Sequence, residues 1–387
     1  MLNELLLIRN DSTKYGIKGQ ERHPDIKEGR KVPTLIVTLN NNGDIERLAT
    51  LPENITPWKI SDGNHNSFPF VQPKRPLLKF PLDSKLANLA TNKNKSIPER
   101  RHALLELFDL CPFNSEPYQK WPGAKMIQRI KDRIMQLKNL QGDARIVYET
   151  FRIFSEICEN HKEKLGGALL ENICGKLRHE ITASGQDNWF TIGLALAVGK
   201  YDKKKEKWEQ TGALLFESQG FGISIFNTNL VGAVSNELFV TNMDKVEKGI
   251  CALTGEEGPL LKGKAPQPKL PVIGPSYLFS KNIQIPSNGR YKRFSTNSMP
   301  VLEHTMIELE ASLRKLCSEE NYGKTWRSIP GEKPKQSDLL LAYAEQADGA
   351  GFVSILADDD FEDESEKQSF EGDGSFAIAV FENKCRK

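Results

Sequence analysis

What most constrains this chain is a run of helical periodicity held between two stretches that pattern as strands. From Ile97 onward apolar residues recur at three- and four-residue spacing: Leu104, Leu105, Leu107 and Phe108, then Met126, Ile127, Ile130, Ile134 and Leu137. The pattern continues from Ala144 to Asn160 and from Leu165 to Leu177, with Lys and Arg between the apolar positions. Ser96 is placed to cap the first of these helices, with Pro98 and Glu99 in its first turn. The expected fold class is therefore α+β and multidomain: an N-terminal hairpin region, a helical segment, and a second mixed β region carrying a basic hairpin.

The N-terminal flank reads as a hairpin over Pro33 to Leu51. Thr34, Ile36 and Thr38 alternate with Leu35, Val37 and Leu39, and Asn41-Asn42-Gly43-Asp44 supplies the turn. From Ser61 to Pro81 the prolines at 69, 73, 76 and 81 exclude helix and predict a long extended loop that carries Lys74, Arg75 and Lys79. Strands are expected again over Trp189–Val198, Trp208–Phe216, Phe221–Phe226, Leu238–Thr241 and Ile250–Leu253. A Gly/Pro-rich stretch, Gly255 to Pro275, follows. Short helices are expected over Met1–Asn10, Thr305–Cys317 and Asp338–Ala347, and an apolar alternation runs from Ser375 to Phe381. The boundaries this gives are 1–95 (β-rich, with the loop), 96–187 (helical), 188–300 (mixed β) and 301–387 (helices, an acidic loop and an incomplete C-terminal region).

No apolar run approaches the roughly 18 to 20 residues needed to span a bilayer, and the opening lacks a cleavage site, so a soluble cytoplasmic protein is expected. The six cysteines (Cys111, Cys158, Cys174, Cys251, Cys317, Cys385) are never closer than 16 residues, which predicts buried thiols and neither a disulfide framework nor a zinc site. Net charge conceals an asymmetry. The 53 basic and 51 acidic residues divide into four and ten beyond residue 350, leaving 49 and 41 before it. The body carries +8 and the tail −6, a balance that admits a nucleic-acid partner.

Catalytic motifs fail to assemble. His179-Glu180 has no second histidine at zinc-protease spacing, and the six histidines are scattered. Gly220-Phe221-Gly222 lacks the third glycine of a dinucleotide fingerprint. Neither a phosphate loop nor a Gly-x-Ser-x-Gly elbow occurs. The run Asp358-Asp359-Asp360, with Glu362, Asp363 and Glu364, is the one candidate for magnesium, and such runs are usually solvated loops. No cofactor and no metal is expected, and a binding protein is a better reading than an enzyme.

Basic clusters carry more. Lys200 to Lys207 holds five lysines in eight residues at a hairpin tip, among them Lys203, Lys204 and Lys205. From there they can reach a phosphate backbone without distorting a sheet, and such binding is salt-dependent. Arg290, Lys292 and Arg293 lie beside Tyr291 and Phe294, a mixture suited to tracking phosphates and stacking bases. Asn64 and Asn66 stand near Lys74 and Arg75, pairing neutral hydrogen-bond donors with cations, as reading of base edges requires.

Several blocks together resemble one family. Cys251-Ala252-Leu253-Thr254-Gly255-Glu256 is followed by Lys269-Leu270-Pro271, Phe279-Ser280-Lys281-Asn282 and Gly289-Arg290-Tyr291. They are preceded by the hairpin, the Val71-Gln72-Pro73-Lys74 loop and the helix from Ser96. In order and spacing, over about residues 30–300, this is similar to the large subunit of the type I-C CRISPR surveillance complex, Cascade. The histidine common after the family's Thr-Gly block is absent, the basic hairpin is longer, and the family's chains run on into a C-terminal helical bundle. The resemblance thus implies a short or divergent relative, a split subunit or a truncated one.

What the resemblance implies is a non-catalytic subunit. It would read the protospacer-adjacent motif (PAM) in double-stranded target DNA, aid duplex opening and recruit the helicase-nuclease. Its partners would be crRNA and the backbone and handle-binding subunits, with no membrane. Arg30, Lys31, Asn64, Asn66, Lys74 and Arg75 would lie near the PAM, with Lys203, Lys204 and Lys205 on the DNA backbone. Two rivals stay open: a metal-dependent nuclease using the acidic C-terminal region, and a protein/RNA scaffold that does not read DNA.

Overall fold

A computed structural model describes Leu6 and residues 21–61, 67–160, 165–240, 247–261, 265–275, 299–330, 337–344 and 376–381. The chain divides into two compact units, residues 25–241 and residues 1–24 together with 242–387. The fold is α+β, with several small sheets and a set of helices. The first unit runs across three of the segments delineated by sequence, because the hairpin, the helical segment and the strand ending at Ser218 share one hydrophobic core.

That core is organised by a four-stranded sheet. Strands β2 (Thr34–Leu39) and β3 (Ile45–Thr50) form the expected hairpin, with β1 (Ile26–Glu28) ahead of them. The turn closes as its composition dictates: Asn40 Oδ1 accepts from the N–H groups of Asn42 and Asp44, both at 2.9 Å. Gly43, at φ +87°, sits where a Cβ would meet Ile157 Cγ1 at 2.3 Å, so only glycine fits. Strands β4 (Trp58–Ser61), β5 (Ser67–Phe68) and β6 (Phe70–Val71) follow, then β7 (Lys200–Asp202), β8 (Lys207–Glu209) and β9 (Ala213–Ser218). The sheet order is β3-β2-β9-β6, with β2 and β9 parallel and every residue of both strands buried. A smaller sheet, β1-β4-β5, lies beside it in the chain, handing over to β6 across Pro69.

The helices are α1 (Lys85–Thr91), α2 (Ile97–Leu110), α3 (Ala124–Leu137), α4 (Arg145–Asn160), α5 (Leu165–Ser184), α6 (Asp187–Gly193) and α7 (Leu230–Val240). Ser96 caps the start of α2, as the sequence predicts, and Glu99 reaches back to the Ser96 N–H to complete a capping box. Helix α4 packs on β9 through an aromatic cluster in which Phe68 meets Phe151 and Phe154 at 4.8 and 4.6 Å, and Phe154 meets Phe216 at 5.0 Å. Its solvent face carries Arg145, Glu149, Arg152 and Glu156 in a chain of ion pairs. Truncating a ring such as Phe154 to alanine would cost about 3–5 kcal/mol.

Three of the expected strands are not strands. Trp189–Val198 is α6 running into a π turn over Leu194–Val198, and its near-continuous burial erases the periodicity that separates helix from strand. Leu238 is in the last turn of α7, and Phe221–Phe226 is a chain of turns. Ile250 ends a strand, and Cys251–Leu253 enters a turn.

The second unit gathers around α8 (Glu303–Leu316), whose Leu309, Leu313 and Leu316 are buried with Leu260, Leu302 and Trp326. Three small sheets accompany it: β10 (Lys248–Ile250) with β11 (Glu257–Pro259), β12 (Lys269–Leu270) with β13 (Gly274–Pro275), and β14 (Trp326–Pro330), β15 (Ser337–Ala344) and β16 (Phe376–Phe381) in that order. The segment from Asp338, expected as a helix, is therefore strand β15. Leu339 and Leu341 are buried, Leu340 is only partly so, and pairing on both edges overrides the helical preference of a Leu-Leu-Leu-Ala run. The apolar alternation from Ser375 falls on β16, and the expected helix from Thr305 falls within α8. Only Leu6 of the expected helix over residues 1–10 is among the described residues.

Candidate nucleic-acid interface

The proline-rich stretch after β6 is extended, and it is strapped down along its length. Leu77 and Leu78 donate their N–H groups to the carbonyls of Leu196 and Ala197 in the π turn, at 3.0 and 3.2 Å. Lys79 N–H reaches Pro112 O at 2.9 Å, and Asn114 N–H reaches Leu77 O at 2.7 Å. Leu77 and Leu78 are buried, so their neighbours Lys74, Arg75 and Lys79 are left on the outer side. Tyr118 fixes Arg75: its hydroxyl donates to the Arg75 carbonyl and accepts from the Arg75 N–H at 3.2 Å. Burial pushes the Tyr118 hydroxyl up, which keeps it a protonated donor.

The same π turn launches the basic hairpin. Gly199, at φ +76°, donates to Leu194 O at 2.7 Å and turns the chain into β7; a Cβ there would lie 2.1 Å from Glu209 O. Strands β7 and β8 pair antiparallel, leaving Lys203, Lys204, Lys205 and Glu206 in the connecting turn. Trp208 anchors the hairpin to the strap. Its Nε1 donates to Leu82 O at 3.1 Å, and its ring meets Phe80 at 5.4 Å and Tyr201 at 5.6 Å. Two segments about 130 residues apart in sequence thus form one surface.

An open groove of about 420 Å³ lies between them, with Arg75, Lys79, Phe80, Glu116 and Lys207 along it. Three cations face it. The Lys79–Glu116 pair at 3.3 Å is solvent-exposed on both sides and so holds the ammonium only weakly. In the hairpin, Lys205 is tied to Glu209 at 2.9 Å and to Asp202 at 3.3 Å, and Lys207 to Glu209 at 3.3 Å. The Glu209 carboxylate, then Asp202, holds the Lys205 ammonium above its ordinary value. Lys203, Lys204 and Lys74 are exposed and have no carboxylate partner among the described residues.

The remaining sequence-predicted residues are not gathered here. Lys31 lines a separate cleft of about 240 Å³ with Thr50, Glu53 and Asn188, where Asn188 Nδ2 donates to Thr50 Oγ1 at 2.9 Å. Arg30 belongs to a third place, beside Lys59. Asn64 and Asn66 lie outside the described residues, as do Arg290, Lys292, Arg293 and the acidic run Asp358–Asp360. Strand β4 ends at Ser61 and β5 begins at Ser67, and Arg129 and Arg133 of α3 stand beside Ser61 and Phe68. Sequence inspection places Lys79 in the loop and Lys207 in the basic run, but it gives no sign that the two line one groove, nor that Tyr118 and Trp208 help to form it.

Among the described residues no group of three or more His, Cys, Asp or Glu side chains is placed to hold a metal ion, and no helix is long and apolar enough to cross a membrane. The described cysteines are all free. Burial pushes Cys158, Cys174 and Cys317 up to about 12. At Cys251 burial also acts upward, but the Thr254 hydroxyl and the N–H groups of Leu302, Leu253 and Thr254 outweigh it and hold the thiol below its ordinary value. Comparison of the sequence with protein-family models and with curated proteins gives no match.

Proposed function

We propose that this chain is a non-catalytic, duplex-DNA-binding subunit of an RNA-guided surveillance complex of the type I CRISPR class. The observation that carries the proposal is the groove that gathers Arg75, Lys79 and Lys207, next in the hairpin to Lys203 and Lys204, which have no carboxylate partner among the described residues. Cations spaced along an open groove hold phosphates without reading sequence, and the partly exposed Phe80 ring offers a face on which a base can stack. The resemblance to the large subunit of the type I-C complex supports the rest: recognition of a PAM, contact with crRNA and the backbone and handle-binding subunits, recruitment of a helicase-nuclease, and a cytoplasmic setting. Sequence choice along the target would then fall to guide pairing, and the protein would read only the short flank.

The test is binding of labelled duplex DNA, bearing every flanking trinucleotide, by the chain assembled with its guide-bearing partners over a salt series. Affinity that depends on the flank and falls steeply with salt supports the reading. Affinity indifferent to both overturns it and favours a protein/RNA scaffold. Metal-dependent cleavage abolished by changing Asp358, Asp359 and Asp360 to Asn would favour the nuclease instead.

A further inference from the structure

The outer face of the small sheet holds an arrangement that folding alone does not explain. In the antiparallel pairing of β1 with β4, Lys27 lies directly opposite Lys59. Trp58 and Ile60 on either side of Lys59 are buried, so Lys59 projects from the other face of its strand, and its register partner Lys27 projects beside it. Directly opposed side chains have Cβ atoms roughly 4.5–5.5 Å apart, a separation at which like charges repel. A third cation joins them. Gly29 donates to Pro57 O at 2.6 Å, and a Cβ on it would meet Pro57 Cγ at 2.8 Å. Arg30 follows Gly29 directly, and its positive charge acts on Lys59.

Lys59 is only half exposed, with its ammonium 5.8 Å from the centroid of the Phe70 ring. Burial, then Arg30, then Lys27 all favour its neutral form. Among the described residues none of the three cations has a carboxylate partner. Two lysines paired in register, one of them partly desolvated and under the charge of a nearby arginine, are a configuration that an anion relieves.

We infer that Lys27, Arg30 and Lys59 form a phosphate-binding site on the face of the β1-β4-β5 sheet, and that its ligand is the phosphodiester backbone of a nucleic acid. Arg30 is exposed and Lys27 and Lys59 are each partly exposed, so a strand passing along this surface can reach them. No large apolar residue of β1 or β4 is exposed to enter a lipid surface. Neither Lys27 nor Lys59 lines the groove that holds Arg75 and Lys207, so this inference does not rest on that groove's function.

The experiment compares full-length wild type, the double variant Lys27→Gln/Lys59→Gln, and the groove variant Lys79→Gln/Lys207→Gln. Each is titrated with a short labelled duplex of arbitrary sequence over a salt series, with inorganic phosphate and vesicles of anionic phospholipid as separate arms. The sheet variant is expected to lose about tenfold in affinity at low salt and to flatten the log–log salt slope by about 2, near the 0.9 per phosphate of duplex DNA. Its melting temperature is expected to match or exceed that of the wild type, because a repulsion has been removed.

An unchanged slope in the sheet variant overturns this site, while a flattened slope in the groove variant at the same time leaves the groove reading standing. The converse result upholds the site and removes the groove. Vesicle binding lost in the sheet variant without DNA binding assigns the phosphates to lipid and overturns the nucleic-acid ligand, as does protection by inorganic phosphate alone. No binding of any arm overturns both readings.

Discussion

Tyr118 and Arg75 are joined twice through one hydroxyl, which donates to the Arg75 carbonyl and accepts from its N–H. The tyrosine is buried, and the guanidinium of Arg75 is left to the groove. A residue of the helical segment thereby sets the backbone of a residue in the proline-rich strap. Tyr118→Phe strands both backbone groups and is expected to cost about 1–3 kcal/mol of stability. DNA affinity should fall several-fold at temperatures where the variant remains folded. Urea denaturation and fluorescence anisotropy check the two effects, and unchanged affinity in a destabilised variant would remove Arg75 from the interface.

Gly199 is expected to tolerate no side chain. Its positive φ and the Glu209 carbonyl 2.1 Å from an added Cβ oppose substitution together. Gly199→Ala should destabilise the chain by about 1–3 kcal/mol, measured by the shift of the denaturation midpoint. Gly220, also at positive φ but with open space around it, should lose less.

Ser96→Ala removes the cap of α2 and is expected to cost about 1 kcal/mol at neutral pH, read by urea denaturation. The Ser96 hydroxyl, then its N–H, then Lys95 hold the Glu99 carboxyl below its ordinary value. A depressed carboxyl stabilises the fold above its unfolded titration range and loses that contribution as pH falls through the folded value. The difference between wild type and Ser96→Ala should therefore shrink in acid.

Lys59 runs the other way. Its ammonium is disfavoured in the fold, so it weakens stability below its folded pKa, and that penalty lifts as pH rises toward the unfolded value. Lys59→Gln is expected to stabilise the chain at pH 7 by a few tenths to about 1 kcal/mol. The gain should vanish in strongly alkaline buffer. Thermal melts across pH measure it, and a destabilised variant would show that the Phe70 contact outweighs the repulsion.

Much of this architecture can be read locally. The Asn40–Asp44 turn and the Ser96 cap each depend on side chains within a few residues, and each forms where its residues predict. The basic run also turns the chain, but its strands are Lys200–Asp202 and Lys207–Glu209 within the expected turn, and the expected strand Trp208–Phe216 is broken between Glu209 and Ala213. Elements whose identity depends on distant partners are harder. Trp189–Val198 and the strand at Leu339–Leu341 are apolar enough to suit either secondary structure, and burial on all sides or pairing on two edges decides between them. The candidate sites show the same division. Lys203 and Lys204 declare themselves by density in the sequence. That Arg75 and Lys207 line one groove depends on Trp208 docking onto the strap, and the pairing of Lys27 with Lys59 depends on a strand register that no local motif encodes.

The parallel pairing of β2 with β9 has a consequence for how the chain reaches its fold. Thr38 and Glu217, hydrogen-bonded across that pair at 3.1 Å, are 179 residues apart. During synthesis the β2-β3 hairpin emerges early with one edge open, and it waits for the whole helical segment before β9 arrives. Such long-range pairing makes folding slow and leaves a sticky edge exposed in the interval. A ribosome paused before Ala213 would hold a nascent chain prone to aggregate, and assistance from a chaperone is expected to matter most in that window.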